Sequence, residues 1–305
     1  MLRGVLPACR AWLKRTRLPG LHQLVGLIRL DVQLKRLDTT LSQLEGRLSH
    51  LTELYNQLGD QTDLLKSSGE IPVEWFEEFR CWKRENPLPK TPLVSVCVAT
   101  WNRAKLLTHR CLPSLMQQTY SHLEIVVVGD GCTDDTAQRI AALGDERIRF
   151  VNLPQRGRYP DEPSRRWMVA GTTPMNHALS LCTGDFITHL DDDDEHEPTR
   201  VEKLVDFVRA NDLDFVWHPF WFERTPGRWD LHPCEHLRLA QVTTSSIFYR
   251  RWLGRIGWDI NAHMLSEPGD WNRLRKFLYL GVRAMRFPEP LLRHYVEHTQ
   301  HSAAA

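Results

Sequence analysis

Five consecutive acidic residues, Asp191-Asp192-Asp193-Asp194-Glu195, stand directly behind the strand-like run Asp185 to Leu190. Two carboxylates held about 6 Å apart repel by roughly 3 kcal/mol at an effective dielectric of 20. Several such pairs favour either protonation or a bound cation. Oxygen-only ligands of this kind suit Mg²⁺ or Mn²⁺. An EF-hand is disfavoured, because the sixth position is His196 where the calcium loop needs glycine. The competing reading is a solvated acidic loop that also favours the positive end of a helix starting at Pro198. Placement at a strand end weighs against it.

Two other strand ends carry polar groups: Thr100-Trp101-Asn102-Arg103, and Gly129-Asp130-Gly131-Cys132-Thr133-Asp134-Asp135-Thr136. Both are poor core material. Glycines at 129 and 131 let the backbone turn tightly near a ligand. Asp130 can accept a hydrogen bond from a base imide, and Trp101 can stack on a ring. Taken alone, Gly-Asp-Gly is an ordinary turn. Neither G-x-G-x-x-G nor G-x-x-x-x-G-K-[ST] is present, so the dinucleotide fingerprint and the P-loop are both excluded.

The elements that must position these groups follow from the periodicity. Leu93 to Ala99 and Leu123 to Val128 are short, β-branched runs separated by a helical stretch near 104–118, a spacing that predicts a parallel strand–helix–strand unit. The alternation continues with a helix near 134–143, a strand near 148–152, a helix capped by Thr173 with Pro174 first, and the strand 185–190. The fold class is therefore α/β, a mostly parallel sheet flanked by helices, with ligands expected at the carboxyl ends of the strands. Ahead of it, Leu27, Leu30, Leu34, Leu37, Leu41, Leu44, Leu48, Leu51, Tyr55 and Leu58 alternate steps of three and four, a heptad seam. So narrow a stripe on so long a helix must meet another helix, and a homo-oligomer through an α-helical coiled coil is expected. The domains read as 1–26, a basic amphipathic segment; 27–66, the coiled coil; 67–92, a short helix and Pro-rich linker; and 93–305, the α/β domain.

VSVCVATWNRAKLL, QQTYSHLEIVVVGDGCTDDT, NHALSLCTGDFITHLDDDDEHEPTRVEKL and TSSIFYRRWLGRIGWD with EPGDW occur in that order. The succession resembles an inverting family 2 glycosyltransferase of the GT-A fold over roughly 93–300. The resemblance implies a nucleotide-sugar donor, a UDP-sugar first, with Thr100, Trp101 and Asp130 around base and ribose and Asn102 and Arg103 beside them. It implies that Asp191, Asp192 and Asp193 match the family's D-x-D segment, Asp193 in direct metal contact, and that Asp270 matches the catalytic base. It also puts His298 near the metal or diphosphate, the alternative being an ordinary surface or core histidine. Gly129, Cys132 and Gly269 depart from the usual aspartate, serine and glutamate, which bears on nucleotide preference and acceptor contacts.

The chemistry such a reaction needs can be stated from first principles. Displacing a nucleoside diphosphate from an anomeric carbon requires a cation near the leaving phosphate and a base on the opposite face. Asp270, behind Pro268-Gly269, is the base or else a helix N-cap; Glu267 is the reserve. Arg165 and Arg166, in a polar loop leading to Trp167, offer guanidinium forks for a diphosphate or belong to a plain surface loop. Trp217, Phe220, Trp221, Phe222 and Trp229 stack on acceptor sugars or fill the core. A glycan or lipid-linked acceptor is expected. The alternatives are a sugar nucleotidyltransferase, which would want a glycine and a basic residue in the Ala99–Asn102 loop, and an inactive coiled-coil scaffold.

Composition narrows the setting. Of 305 residues, 39 are Lys or Arg and 38 Asp or Glu, a net charge of +1 that provides no global field for a polyanion, so nucleic acid is not an expected partner. The seven cysteines are odd in number and never spaced C-x-x-C, which fits a reducing cytosol better than a disulfide framework or zinc site. Arg3, Arg10, Lys14, Arg15, Arg17 and Arg29 precede the first acid, Asp31, among apolar residues. That arrangement fits peripheral contact with an anionic membrane face, a targeting peptide or a solvated terminus.

Overall fold

The computed structural model describes residues 21–296, with side chains described from residue 33. The chain divides into two compact units, 1–63 and 64–305.

Helix α1 covers Leu21–Glu70. In the first unit its seam residues Leu34, Leu37, Leu41, Leu44, Leu48, Leu51, Tyr55 and Leu58 are 55–77% exposed in the single chain. The basic stretch 1–20 lies outside the described residues.

In the second unit, seven strands form one sheet: β1 (Val94–Thr100), β2 (Leu123–Gly129), β3 (Ile148–Asn152), β4 (Phe186–His189), β6 (Phe215–Trp217), β9 (Ile247–Arg250) and β10 (Ala284–Arg286). Their order is β10-β6-β9-β4-β1-β2-β3. All neighbours are parallel except β9, which runs antiparallel to both β4 and β6. Period-two alternation divides β1 between two cores: Val94, Val96 and Val98 face one, and Cys97 faces the other with Met175, Ala178 and Phe277. Helices cover both faces, as buried parallel strands require.

The helices are α2 (Glu74–Glu85), α3 (Ala104–Leu106, Leu107–Cys111 and Leu112–Met116, the middle piece a π turn), α4 (Thr136–Leu143), α5 (Pro163–Val169), α6 (Thr172–Leu181), α7 (Arg200–Asn211) and α8 (Gly269–Tyr279). Two helix starts differ from the sequence reading. The cap of α6 is Gly171, at φ 80°, and not Thr173; Gly171 takes the left-handed turn that Thr173 cannot. Helix α7 begins at Arg200, with Pro198 outside it.

A smaller sheet of order β5-β11-β7-β8 joins β5 (Glu195–His196), β7 (Phe220–Thr225), β8 (Arg228–His232) and β11 (Leu292–His294). In the antiparallel pairing of β5 with β11, Leu292 stands opposite His196 and Arg293 opposite Glu195. Continuing that register places His294 opposite Asp194.

Residues 67–92 belong to the second compact unit. Phe79 of α2 is buried and packs on Trp252 with centroids 5.0 Å apart. Lys83 pairs with Asp214 at 2.7 Å. Arg275, fully buried on α8, donates to Ser67 Oγ at 3.0 Å and to Glu70 at 2.7 Å.

Candidate active site

The acidic run leaves β4 in the middle of the large sheet, and its four aspartates reach different surroundings. Asp194 is fully buried: its Oδ2 accepts from His294 Nδ1 at 2.8 Å and its Oδ1 from the Tyr295 backbone N–H at 3.0 Å. Asp192 and Asp193 both accept from Arg103 Nη1, at 2.8 and 2.9 Å. Asp191 has its backbone N–H on Ser245 Oγ at 3.0 Å. Ligand atoms of Asp191, Asp194 and His294 lie within 4.8 Å of one another.

The electrostatics of this cluster favour a cation. Burial, then the charges of Asp194 and Asp193, push the Asp191 carboxyl well above the usual carboxylate range. Burial likewise raises Asp192, with Arg103 opposing. Burial pulls His294 down, but the Asp194 charge and hydrogen bond outweigh it and raise the imidazole. Two carboxylates and one imidazole, the ring giving up its proton to the ion, are a donor set that Mn²⁺ or Mg²⁺ accepts, and a divalent ion there relieves the repulsion between the carboxylates. The residues therefore fit the metal. The carboxylate of Asp193, the residue expected in direct metal contact, is ion-paired to Arg103. His298 lies outside the described residues.

Around the cluster, polar contacts tie the loops together. Asn102, at φ 52°, accepts the Thr133 N–H on its Oδ1 at 2.8 Å and so joins the loop after β1 to the loop after β2. Thr100 is buried at the end of β1. The π turn of α3 carries Arg110, whose Nη1 donates to the Asp193 carbonyl at 2.8 Å and whose guanidinium lies 3.8 Å from the Tyr295 ring centre. Extra-wide turns of this type re-aim side chains and recur at functional sites.

Asp130 is buried, and both oxygens are engaged: one accepts the Gly157 N–H at 2.8 Å, the other the Tyr159 hydroxyl at 2.7 Å. It thus anchors the 155–159 segment. Gly131, at φ 67°, is required there, since a Cβ would come within 2.6 Å of the Arg156 backbone nitrogen. The Arg156 guanidinium lies over Trp101, its Cζ 3.4 Å from the ring centre, so the indole expected to stack on a base already carries a guanidinium.

Asp270 sits at the second position of α8; Pro268 is the N-cap residue. Its Oδ1 accepts the Trp271 N–H at 2.6 Å, and burial raises its carboxyl to about 6, over the opposing hydrogen bonds. The N-cap alternative therefore fails on position. Glu267, the reserve base, is buried and committed: Lys66 at 2.6 Å, Arg275 at 3.0 Å and Asn272 at 2.9 Å occupy its oxygens.

Arg165 and Arg166 stand on helix α5, capped by Glu162, and not in a polar loop. Arg165 is exposed and pairs with Glu162 at 3.7 Å. The aromatic group serves packing first: Trp217 donates its indole N–H to the Cys234 carbonyl at 2.9 Å, and Phe222 stacks on His294 at 5.6 Å. Sequence reasoning missed His294, Tyr159, Arg156 and Ser245. A possible signal for His294 was its place in the short run Leu292-Arg293-His294, once that run is paired with β5.

Comparison with known proteins adds the following. The description "Glycosyl transferase family 2" matches residues 95–160 and 170–260, about half of the chain. Chondroitin synthase of Escherichia coli is 33% identical over 126 residues, 41% of this chain and 16% of that protein. S. aureus TarS 1-349 in complex with UDP-GlcNAc superimposes with a TM-score of 0.54 at 19% identity, covering 70% of this chain and 61% of that one. The mannosyltransferase PcManGT from Pyrobaculum calidifontis, in complex with GDP-Man and Mn²⁺, gives 0.52 at 19% identity, over 80% and 71%. At these identities the two structures establish the shared fold.

Proposed function

Because the chain belongs to glycosyl transferase family 2, we propose that it transfers a sugar, with inversion, from a nucleotide diphosphate donor to a hydroxyl acceptor. The observation that carries this reading is the group of the half-buried Asp191 and His294 around the buried Asp194, beyond the carboxyl end of β4, where α/β sheets bind ligands. Asp191, Asp194 and His294 would hold Mn²⁺ or Mg²⁺, which supplies neutralisation of the charge left on the departing diphosphate. Arg103 and Arg110 frame the same loop and suit phosphate oxygens. Asp270 takes the proton of the acceptor hydroxyl as its oxygen bonds to the anomeric carbon and the bond to the phosphate oxygen breaks. One displacement inverts the anomeric centre.

A UDP-sugar is the proposed donor and a glycan or lipid-linked hydroxyl the proposed acceptor. The TarS complex with UDP-GlcNAc supports the first, and the match to chondroitin synthase supports glycan assembly. Mn²⁺ in the mannosyltransferase complex supports the metal. The chain spans only a small part of chondroitin synthase, so these assignments rest on the site. Among the described residues no helix is long and apolar enough to cross a membrane. The cysteine content supports a proposed cytoplasmic setting, and the basic composition of the N-terminal segment supports peripheral contact with the membrane face.

The deciding experiment is a panel of nucleotide sugars incubated with full-length protein and Mn²⁺, with and without EDTA. Nucleoside diphosphate release and a raised melting temperature are expected, a ligand at 100 times its Kd stabilising by about 2.7 kcal/mol. Absence of both for every donor tested would sink the proposal.

A further inference from the structure

Arg200 is fully buried, and among the described residues none of its hydrogen bonds goes to a carboxylate. Burial alone drops its guanidinium to about 9. A buried unpaired charge is expensive to keep, so what it touches matters. Its Nη2 donates to Thr188 Oγ1 at 2.9 Å, to the Ser245 carbonyl at 3.2 Å and to the Ile247 carbonyl at 3.1 Å; its Nε donates to His218 at 2.9 Å. Thr188 belongs to β4, which delivers the acidic run.

Ser245 is the junction of these contacts. It is fully buried, its carbonyl accepts from Arg200 and faces His196 Nε2 at 3.4 Å, and its hydroxyl accepts the Asp191 N–H. His196 closes the acidic run on β5, as Thr188 precedes it on β4. One serine thus touches the first residue of the run and the strand beyond it, while Arg200 holds that serine from beneath. We propose that Ser245 is a positioning residue for the metal-binding loop, fixing the Asp191 backbone so that its carboxylate meets the Asp194 carboxylate and the His294 imidazole, with Arg200 as its support. The proposal rests on the metal reading given above. Its neighbour Ser246 is the control: among the described residues that hydroxyl bonds only within the turn, donating to the Thr243 carbonyl at 2.9 Å and accepting the Thr243 N–H at 3.1 Å.

The test is Mn²⁺ binding to full-length protein, by electron paramagnetic resonance of the free ion, with no donor present. Groups that orient a metal's ligands typically contribute 10–100-fold in affinity. Ser245→Ala is expected to weaken Mn²⁺ binding by about tenfold or more, and Ser246→Ala by less than about twofold, at equal folded fraction. Ser245→Cys, which keeps the volume but offers a weak acceptor, is expected to lose affinity as well and serves if the alanine variant does not fold. Wild-type affinity in a folded Ser245 variant, or equal losses in the Ser245 and Ser246 variants, overturns the positioning role while leaving the metal site standing. Wild-type protein that binds no Mn²⁺ overturns both.

Discussion

At the scale of single residues, the decisive feature is the division of labour among carboxylates of one type. Asp270 holds its proton more tightly folded than unfolded, since burial raises it to about 6. The stability it contributes is full below its unfolded pKa and is lost as pH rises through about 6. Catalysis requires the ionised form, so transfer should fall about tenfold per unit below about pH 6. Asp270→Asn should cut kcat by about 10²–10⁴ with donor Kd nearly unchanged, and should melt no lower than wild type at pH 7.5. Near wild-type turnover would remove Asp270 from the reaction. In the acidic run, Asp194→Asn should weaken Mn²⁺ binding more than Asp193→Asn, because Asp194 shares the cluster with Asp191 and His294 whereas Asp193 is paired with Arg103. Calorimetric titration of the two variants decides, and the reverse ranking would return the metal to Asp193.

At the scale of elements, the segment before the first strand works as part of the second compact unit. Helix α2 buries Phe79 against Trp252, and Arg275 draws Ser67 and Glu70 onto α8 while also bonding Glu267. Phe79→Ala should therefore cost about 3–5 kcal/mol, a loss visible as a lower melting temperature. Protein beginning at residue 93 exposes Trp252 and leaves Arg275 with fewer acceptors; it should be markedly less stable than protein beginning at residue 64. Equal urea midpoints for the two would show that 64–92 is only a tether. The π turn in α3 belongs to this scale as well, since it directs Arg110 to the Asp193 carbonyl without breaking the helix.

At the scale of the whole molecule, the first unit presents eight large apolar side chains at heptad positions, each more than half exposed in the single chain. Each offers roughly 2 kcal/mol on burial, enough to drive association against the cost of ordering. A second copy of the same helix is the partner we expect. Light scattering at micromolar concentration should give a dimer or larger, and Leu44→Asp with Leu48→Asp should return a monomer that retains transfer activity. A monomeric wild-type protein would exclude this assembly.

The sequence alone determined what short-range pattern controls. The leucine seam specifies its helix by spacing, β-branched runs specify β1 and β2, and the place of the acidic run behind β4 follows from strand order. These depend on residues within a turn or a strand of each other. The tertiary structure decided which groups meet across long separations. His294 reaches Asp194 from 100 positions away because β11 pairs with β5 in one register, and a slip of one residue would turn the imidazole to the other face. Asp130 pairs with Tyr159, and Glu267 with Lys66 and Arg275, because buried polar groups recruit whatever partner the packing brings near; the exposed Trp101 ring carries Arg156 as a cation–π contact. Local periodicity carries no information about those partners, so the different surroundings of Asp194 beside His294, Asp193 beside Arg103 and Asp270 on α8 belong to the fold.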